Sequence, residues 1–149
     1  MSLFDLVGND GIVITTEENL SVPEALEITC SKLLKNGKIE PSYLDAIKAS
    51  HKEIGPYYVL APKLAMPHAR PEDGVNESAL QVTVFKKGVD LESVDNGNVY
   101  LSITLAAVDS NNHIQTIMAL SDLFQNDADI DAIIAAENTA AIIDILKKY

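Results

Sequence analysis

The chain predicts an α/β sandwich, a central sheet covered by helices on both faces, and three observations carry that prediction. Short β-branched runs, GIVIT at 11–15 and ALQVTVF at 79–85, are interspersed with segments of helical period. The longer run YLSITLAAV, 100–108, has the length and β-branched content of a buried strand. At 149 residues and 47% hydrophobic composition, the chain is long enough to bury a full core as one domain, 1–149, without disulfides or metal.

The elements follow in order. Gly11–Thr15 reads as a strand. Ser21 is placed to cap a helix with Pro23 in its first turn and Glu24 where the helix dipole favours an acid; Ala25, Leu26, Thr29, Leu33 and Leu34 then recur at helical spacing until Asn36-Gly37. Glu40-Pro41 opens a second helix with Tyr43, Leu44, Ile47 and Ile54 on its apolar side, closing at Gly55-Pro56, and the two helices are expected to pair. Tyr57–Leu60 and Ala79–Phe85 read as strands. In the second, Leu80, Val82 and Val84 alternate with Gln81, Thr83 and Phe85, and Lys86-Lys87-Gly88 is expected to end it. After the buried strand, Asp109-Ser110-Asn111-Asn112 supplies N-cap candidates for a helix whose first turn holds His113 and whose core side is Ile114, Ile117, Met118, Leu120, Leu123 and Phe124. Helices over 130–136 and 139–148 complete the chain, with no internal repeat, linker or low-complexity segment.

Composition narrows the function. A formal charge of −11 leaves no Lys/Arg cluster to displace phosphate counterions, which argues against nucleic acid and suits a basic protein partner. No segment has the run of apolar residues needed to span a bilayer, and MSLFDLVGND has no basic n-region, so a cytosolic protein is expected. The single cysteine, Cys30, falls in an apolar-periodic helix and reads as a small buried residue. GxxxxGK[ST], GxGxxG, CxxC and HExxH spacings are all missing, so neither a nucleotide cradle, a cofactor motif nor a metal site is encoded. Asp109, Ser110 and His113 lie close in sequence, but without a nucleophile elbow they do not make a hydrolase triad.

The stretch that carries chemistry is GPYYVLAPKLAMPHARPEDG, 55–74. Pro67 and Pro71 flank His68 and exclude helix interior, so the imidazole stands at a strand end or in an ordered loop. An imidazole near neutral pH offers an unprotonated nitrogen as nucleophile, and Arg70, two residues on, is placed to pair with a phosphoryl group that it accepts. The alternative is a loop histidine bonded only to backbone. His113 has its own physical case, because backbone N–H groups and the dipole favour anions at a helix start; its alternative is a capping or surface histidine. In such sheets sites form at strand ends, where the His68 loop and the His113 helix are expected to meet.

Both stretches, 55–74 with its Ala-Met-Pro-His core and 105–124 (LAAVDSNNHIQTIMALSDLF), resemble the EIIA proteins of the bacterial sugar phosphotransferase system. The resemblance is to the mannitol/fructose-type superfamily, and within it to the ascorbate-specific branch. It implies a mixed, roughly five-stranded sheet and a phosphotransferase component. His68 is then the phosphorylated histidine, accepting phosphate from phospho-HPr and passing it to an EIIB partner beside a membrane EIIC, with His113 as the second active-site histidine. Mannitol-type relatives carry an arginine on the helix before the motif, where this chain reads Ala49-Ser50-His51-Lys52, so Arg70, His51 and Lys52 all stand as candidates for that cation. A regulatory EIIA-like module acting on a target protein is the other function implied. Water must be kept from the phosphoryl group during transfer, and Leu64, Met66, Tyr57 and Tyr58 are the nearest apolar candidates by sequence for an apron, some of them core residues instead, with Glu72 and Asp73 farther out as rim charges.

Overall fold

The computed structural model describes residues 2–149. Helix α1 (Leu3–Val7) leads into strand β1 (Ile12–Thr15), and two 14-residue helices follow, α2 (Val22–Lys35) and α3 (Pro41–Ile54). Strands β2 (Val59–Ala61) and β3 (Lys63–Ala65) form a tight antiparallel pair. A single 3₁₀ turn at Pro71–Asp73 precedes the long strands β4 (Ala79–Val89) and β5 (Val99–Ala106), and α4 (Ser110–Phe124), α5 (Asp127–Ala135) and α6 (Thr139–Leu146) close the chain. The sheet runs β1-β4-β5-β3-β2. The β1/β4 and β3/β5 pairs are parallel, while β4/β5 and β2/β3 are antiparallel, so the mixed five-stranded sheet is as expected.

Helices cover both faces, each over its own core. Leu80, Val82 and Val84 of β4 and Leu101, Ile103 and Leu105 of β5 meet Leu3 and Val7 of α1, Leu120 and Leu123 of α4, Ile130 and Ile133 of α5 and Ile142 and Leu146 of α6. On the opposite face Phe85, Val99 and Ala65 pack with Leu26, Cys30 and Leu33 of α2 and Tyr43, Leu44 and Ile47 of α3. Ser21 caps α2 as expected: its Oγ accepts the Glu24 N–H at 3.2 Å and the Glu24 carboxylate accepts the Ser21 N–H at 2.9 Å. Cys30 is fully buried, and burial pushes its thiol up to about 12, so it carries no thiolate chemistry. Among the described residues no helix is long and apolar enough to cross a membrane.

Several elements depart from the sequence reading. The short α1 and β3 carry too few residues to show a period, and neither was expected. Strand β2 starts at Val59 and not at Tyr57, which lies in the preceding turn. Strand β4 continues past Lys86-Lys87-Gly88 to Val89 because Gly88 does not break it. With φ +74°, the glycine lets the backbone pass beneath the Tyr100 ring of β5, whose Cζ would lie 2.8 Å from any Cβ at this position.

The polar alternates of β4 face α2, not solvent. The Gln81 amide donates to the Ile28 carbonyl at 2.7 Å and accepts the Lys32 N–H at 2.8 Å, tying β4 to one turn of α2. Thr104 of β5 donates to the neighbouring Thr29 carbonyl at 2.6 Å. Gln81→Leu removes the amide that donates to the Ile28 carbonyl and accepts the Lys32 and Leu33 N–H groups; the Ser31 hydroxyl still donates to that carbonyl, and a loss of about 1–3 kcal/mol is expected. Urea unfolding with an unchanged slope checks it; a loss below about 0.5 kcal/mol would mean that these helical groups do not depend on Gln81.

Candidate active site

The carboxyl ends of the adjacent parallel strands β3 and β5 lie side by side, and the loop after β3 carries His68 while α4 starts after β5 and carries His113. Hydrogen bonds fix nearly every backbone group of that loop. The Met66 N–H donates to the Tyr58 carbonyl at 2.8 Å, and the Leu105 N–H of β5 donates to the Pro67 carbonyl at 3.0 Å, extending the β3/β5 pairing by one step. Arg70 is extended, with φ −84° and ψ 151°, as a residue before proline must be, and its N–H donates to the Asp73 carboxylate at 2.9 Å.

Four hydroxyl and ring contacts finish the frame. The Tyr57 hydroxyl donates to the His68 carbonyl. The Tyr43 hydroxyl accepts the Ala69 N–H at 2.9 Å and donates to the Leu105 carbonyl at 2.6 Å. His68 Nδ1 lies 2.8 Å from the Met66 carbonyl oxygen. A carbonyl can only accept, so Nδ1 carries the proton and Nε2 of the neutral ring is the nitrogen with the free lone pair.

The His68 and His113 ring centroids are 6.3 Å apart, inclined at 56°. Both line an open cleft of about 390 Å³, with Ser50, Ile54 and Tyr57 on one side, Arg70, Pro71 and Asp73 on another, and Ser110 and Ile114 at the start of α4. Asp109 caps α4 by accepting the Asn112 N–H at 2.8 Å, which with the Asn112 side chain holds its carboxyl below the usual range. His113 titrates below its ordinary value, first because it is partly buried and second because of the charge of His68. It is therefore neutral near pH 7 and has one N–H to give. Among the described residues no group of three or more His, Cys, Asp or Glu side chains is placed to hold a metal ion.

The structure thus brings His68, His113 and Arg70 to one cleft, and it separates the two other cations from it. His51 is buried on the far side of α3, with Nε2 at 2.7 Å from Glu92 and Nδ1 at 2.9 Å from the Tyr58 hydroxyl. Lys52 lines a different groove with Val22, Leu26 and Glu92. The residues of α3 that do face the cleft are Ser50 and Ile54. Arg70 is exposed and enters no ion pair among the described residues.

The structure selects among the apron candidates. Leu64, Met66 and Tyr58 are core residues, and only Tyr57 lines the cleft. Its open apolar edge is Ile54 and Ile114, 67% and 57% exposed, continued one turn along α4 by Met118. All three were assigned to the core from their spacing, which marks a helix face but cannot say how far along it the cover extends. Asp73 is not a rim charge, since it caps the Arg70 loop. Tyr43 was read as a packing residue; its signal was a tyrosine where phenylalanine would pack as well, because a buried hydroxyl needs partners.

Comparison with known proteins gives this arrangement its class. A mannitol-specific cryptic phosphotransferase enzyme IIA from Escherichia coli has the same fold, with a TM-score of 0.91 and 33% identity over 100% of both chains. The mannitol enzyme IIA in its complex with phosphorylated mannitol enzyme IIB, also from Escherichia coli, superposes with a TM-score of 0.80 at 24% identity, over 95% of this chain and 97% of that one. An ascorbate-specific PTS system EIIA component from Salmonella choleraesuis (strain SC-B67) is 35% identical over 144 residues, 96% of this chain and 93% of the relative. The chain is a phosphotransfer component. It belongs to the EIIA 2 family of the phosphoenolpyruvate-dependent sugar phosphotransferase system, whose model matches residues 7–149.

Proposed function

We propose that the chain is a cytoplasmic single-domain phosphohistidine carrier, which takes phosphate from phospho-HPr on His68 and hands it to the EIIB component of an ascorbate transporter. The observation that carries this reading is the bond from His68 Nδ1 to the Met66 carbonyl, which leaves Nε2 as the one nucleophilic nitrogen of a ring in the cleft. The Nε2 lone pair attacks phosphorus in line as the bond to the donor histidine breaks; the reverse displacement delivers the group to EIIB, and neither step needs a proton from His68. His113 donates an N–H to the phosphoryl oxygens, and the exposed Arg70 guanidinium offsets their charge. Ile54, Ile114 and Met118 give the partner an apolar rim that excludes water. The ascorbate assignment is supported by the ascorbate-specific relative at 35% identity.

The test is incubation with phosphoenolpyruvate, enzyme I and HPr, followed by mapping of the labelled residue and of its nitrogen by ¹⁵N NMR. Label on His68 Nε2 is expected; label elsewhere overturns the assignment. A regulatory module would be labelled in the same way, so transfer onward to the ascorbate EIIB decides between the two readings.

With Asp73 committed to the loop, the exposed Glu72, between the cleft residues Pro71 and Asp73, is left to act at a distance. Glu72→Gln is expected to slow association with phospho-HPr by about threefold at low ionic strength, the deficit fading as salt rises. Stopped-flow association rates at two salt concentrations measure it; a salt-independent deficit would place Glu72 within the site.

A further inference from the structure

Two tyrosine hydroxyls reach one peptide group from opposite ends. The carbonyl of the His68–Ala69 peptide accepts from Tyr57, and its N–H donates to Tyr43. Tyr43 comes from α3 and is 1% exposed; Tyr57 comes from the turn before β2 and lines the cleft. A peptide held at both its oxygen and its nitrogen cannot rotate about its axis, so the torsions on either side, ψ of His68 and φ of Ala69, are fixed together. Tyr43 passes the constraint on, since its proton goes to the Leu105 carbonyl on the strand that leads to α4 and His113. The Tyr57 ring also stands edge-on to the His68 imidazole, with centroids 5.5 Å apart. Burial pushes the Tyr57 hydroxyl up to about 12, and the Tyr43 hydroxyl further, so both keep their protons at any pH at which the protein works.

We infer that Tyr43 and Tyr57 are positioning residues for phosphoryl transfer: together they clamp the His68–Ala69 peptide and so hold the imidazole where Nδ1 stays bonded to Met66 and Nε2 stays aimed at the incoming group. This inference rests on the carrier role proposed for His68. Neither tyrosine takes part in bond making. What they supply is orientation, and an imidazole displaced by about an ångström costs a displacement reaction about tenfold to a hundredfold in rate.

The test compares Tyr57→Phe, Tyr43→Phe and the wild type. Phenylalanine keeps each ring and removes only the hydroxyl. At saturating phospho-HPr the transfer rate to Tyr57→Phe is expected to fall about tenfold with an unchanged KM for the donor. In ¹H–¹⁵N spectra of the unphosphorylated variant the His68 ring is expected to lose its single tautomer and show both nitrogens partly protonated. Tyr43→Phe strips a buried hydroxyl from two partners and is the variant at risk of unfolding; Tyr57, half-buried, decides the matter alone if it does. A Tyr57→Phe protein that transfers at the wild-type rate with a single His68 tautomer, losing only thermal stability, overturns the inference and leaves the hydroxyls as packing contacts. Wild-type protein that takes no phosphate on His68 overturns the carrier role instead, and the two failures are distinct.

Discussion

His68→Ala is expected to reduce phosphate uptake from phospho-HPr to background while leaving the protein folded. In the proposed carrier role the His68 ring, fixed by its backbone bond to Met66, offers Nε2 as the nucleophile, so its removal takes away the atom proposed to make the new bond. Its loss from the fold is small. The side chain is only partly buried and forms one hydrogen bond, worth about 1 kcal/mol, whereas the loop backbone is held by Leu105, Tyr43 and Tyr57 without it. Radiolabel transfer from phospho-HPr measures uptake, and circular dichroism with thermal melting confirms the fold. Normal labelling of the variant would remove His68 from the mechanism.

The second large effect belongs to His113. Its replacement by alanine is expected to leave the protein phosphorylatable but to slow transfer to EIIB by about 10²-fold, the loss typical of a donor that meets charge as it develops. The direction of its titration supplies an independent check. In the free protein His113 sits below its ordinary value through partial burial and the charge of His68. A phosphoryl group on His68 replaces that repulsion with attraction, so the His113 value must rise on phosphorylation. An NMR titration of both forms reads the change. An unmoved His113, together with wild-type transfer by the alanine variant, would make it a structural residue of the first turn of α4.

The sequence was most informative where one local signal decides the outcome. Ser21 with Glu24 and Pro41 mark helix starts by capping bonds or by a fixed φ within a few residues, and both starts stand as expected, while Asp109 is the one of four candidates that caps α4. The two histidines met because strand ends converge in any sheet of this kind. Contacts made over long range left no such trace. Whether His51 or Ser50 faces the cleft turns on about 100° of helix rotation, and the answer depends on Glu92, 41 residues away, which takes the His51 ring. The β4 alternation likewise separates Gln81 from Leu80 and Val82 without saying what covers its face, and only the docking of α2 explains a buried amide there. The frame around His68 draws on Tyr43 and Leu105, 62 residues apart, whose partnership no pattern within either segment could announce.

The bond between the His68 ring and Met66 bears on kinetics. With one ring nitrogen committed to its own backbone, the other can be approached from one side only, and donor and acceptor must use the same opening. In the proposed relay their complexes are expected to be mutually exclusive, each partner leaving before the next arrives. Turnover of the relay should follow a ping-pong pattern, with parallel double-reciprocal lines, and an excess of either unphosphorylated partner should slow the flux by occupying the doorway that the other requires.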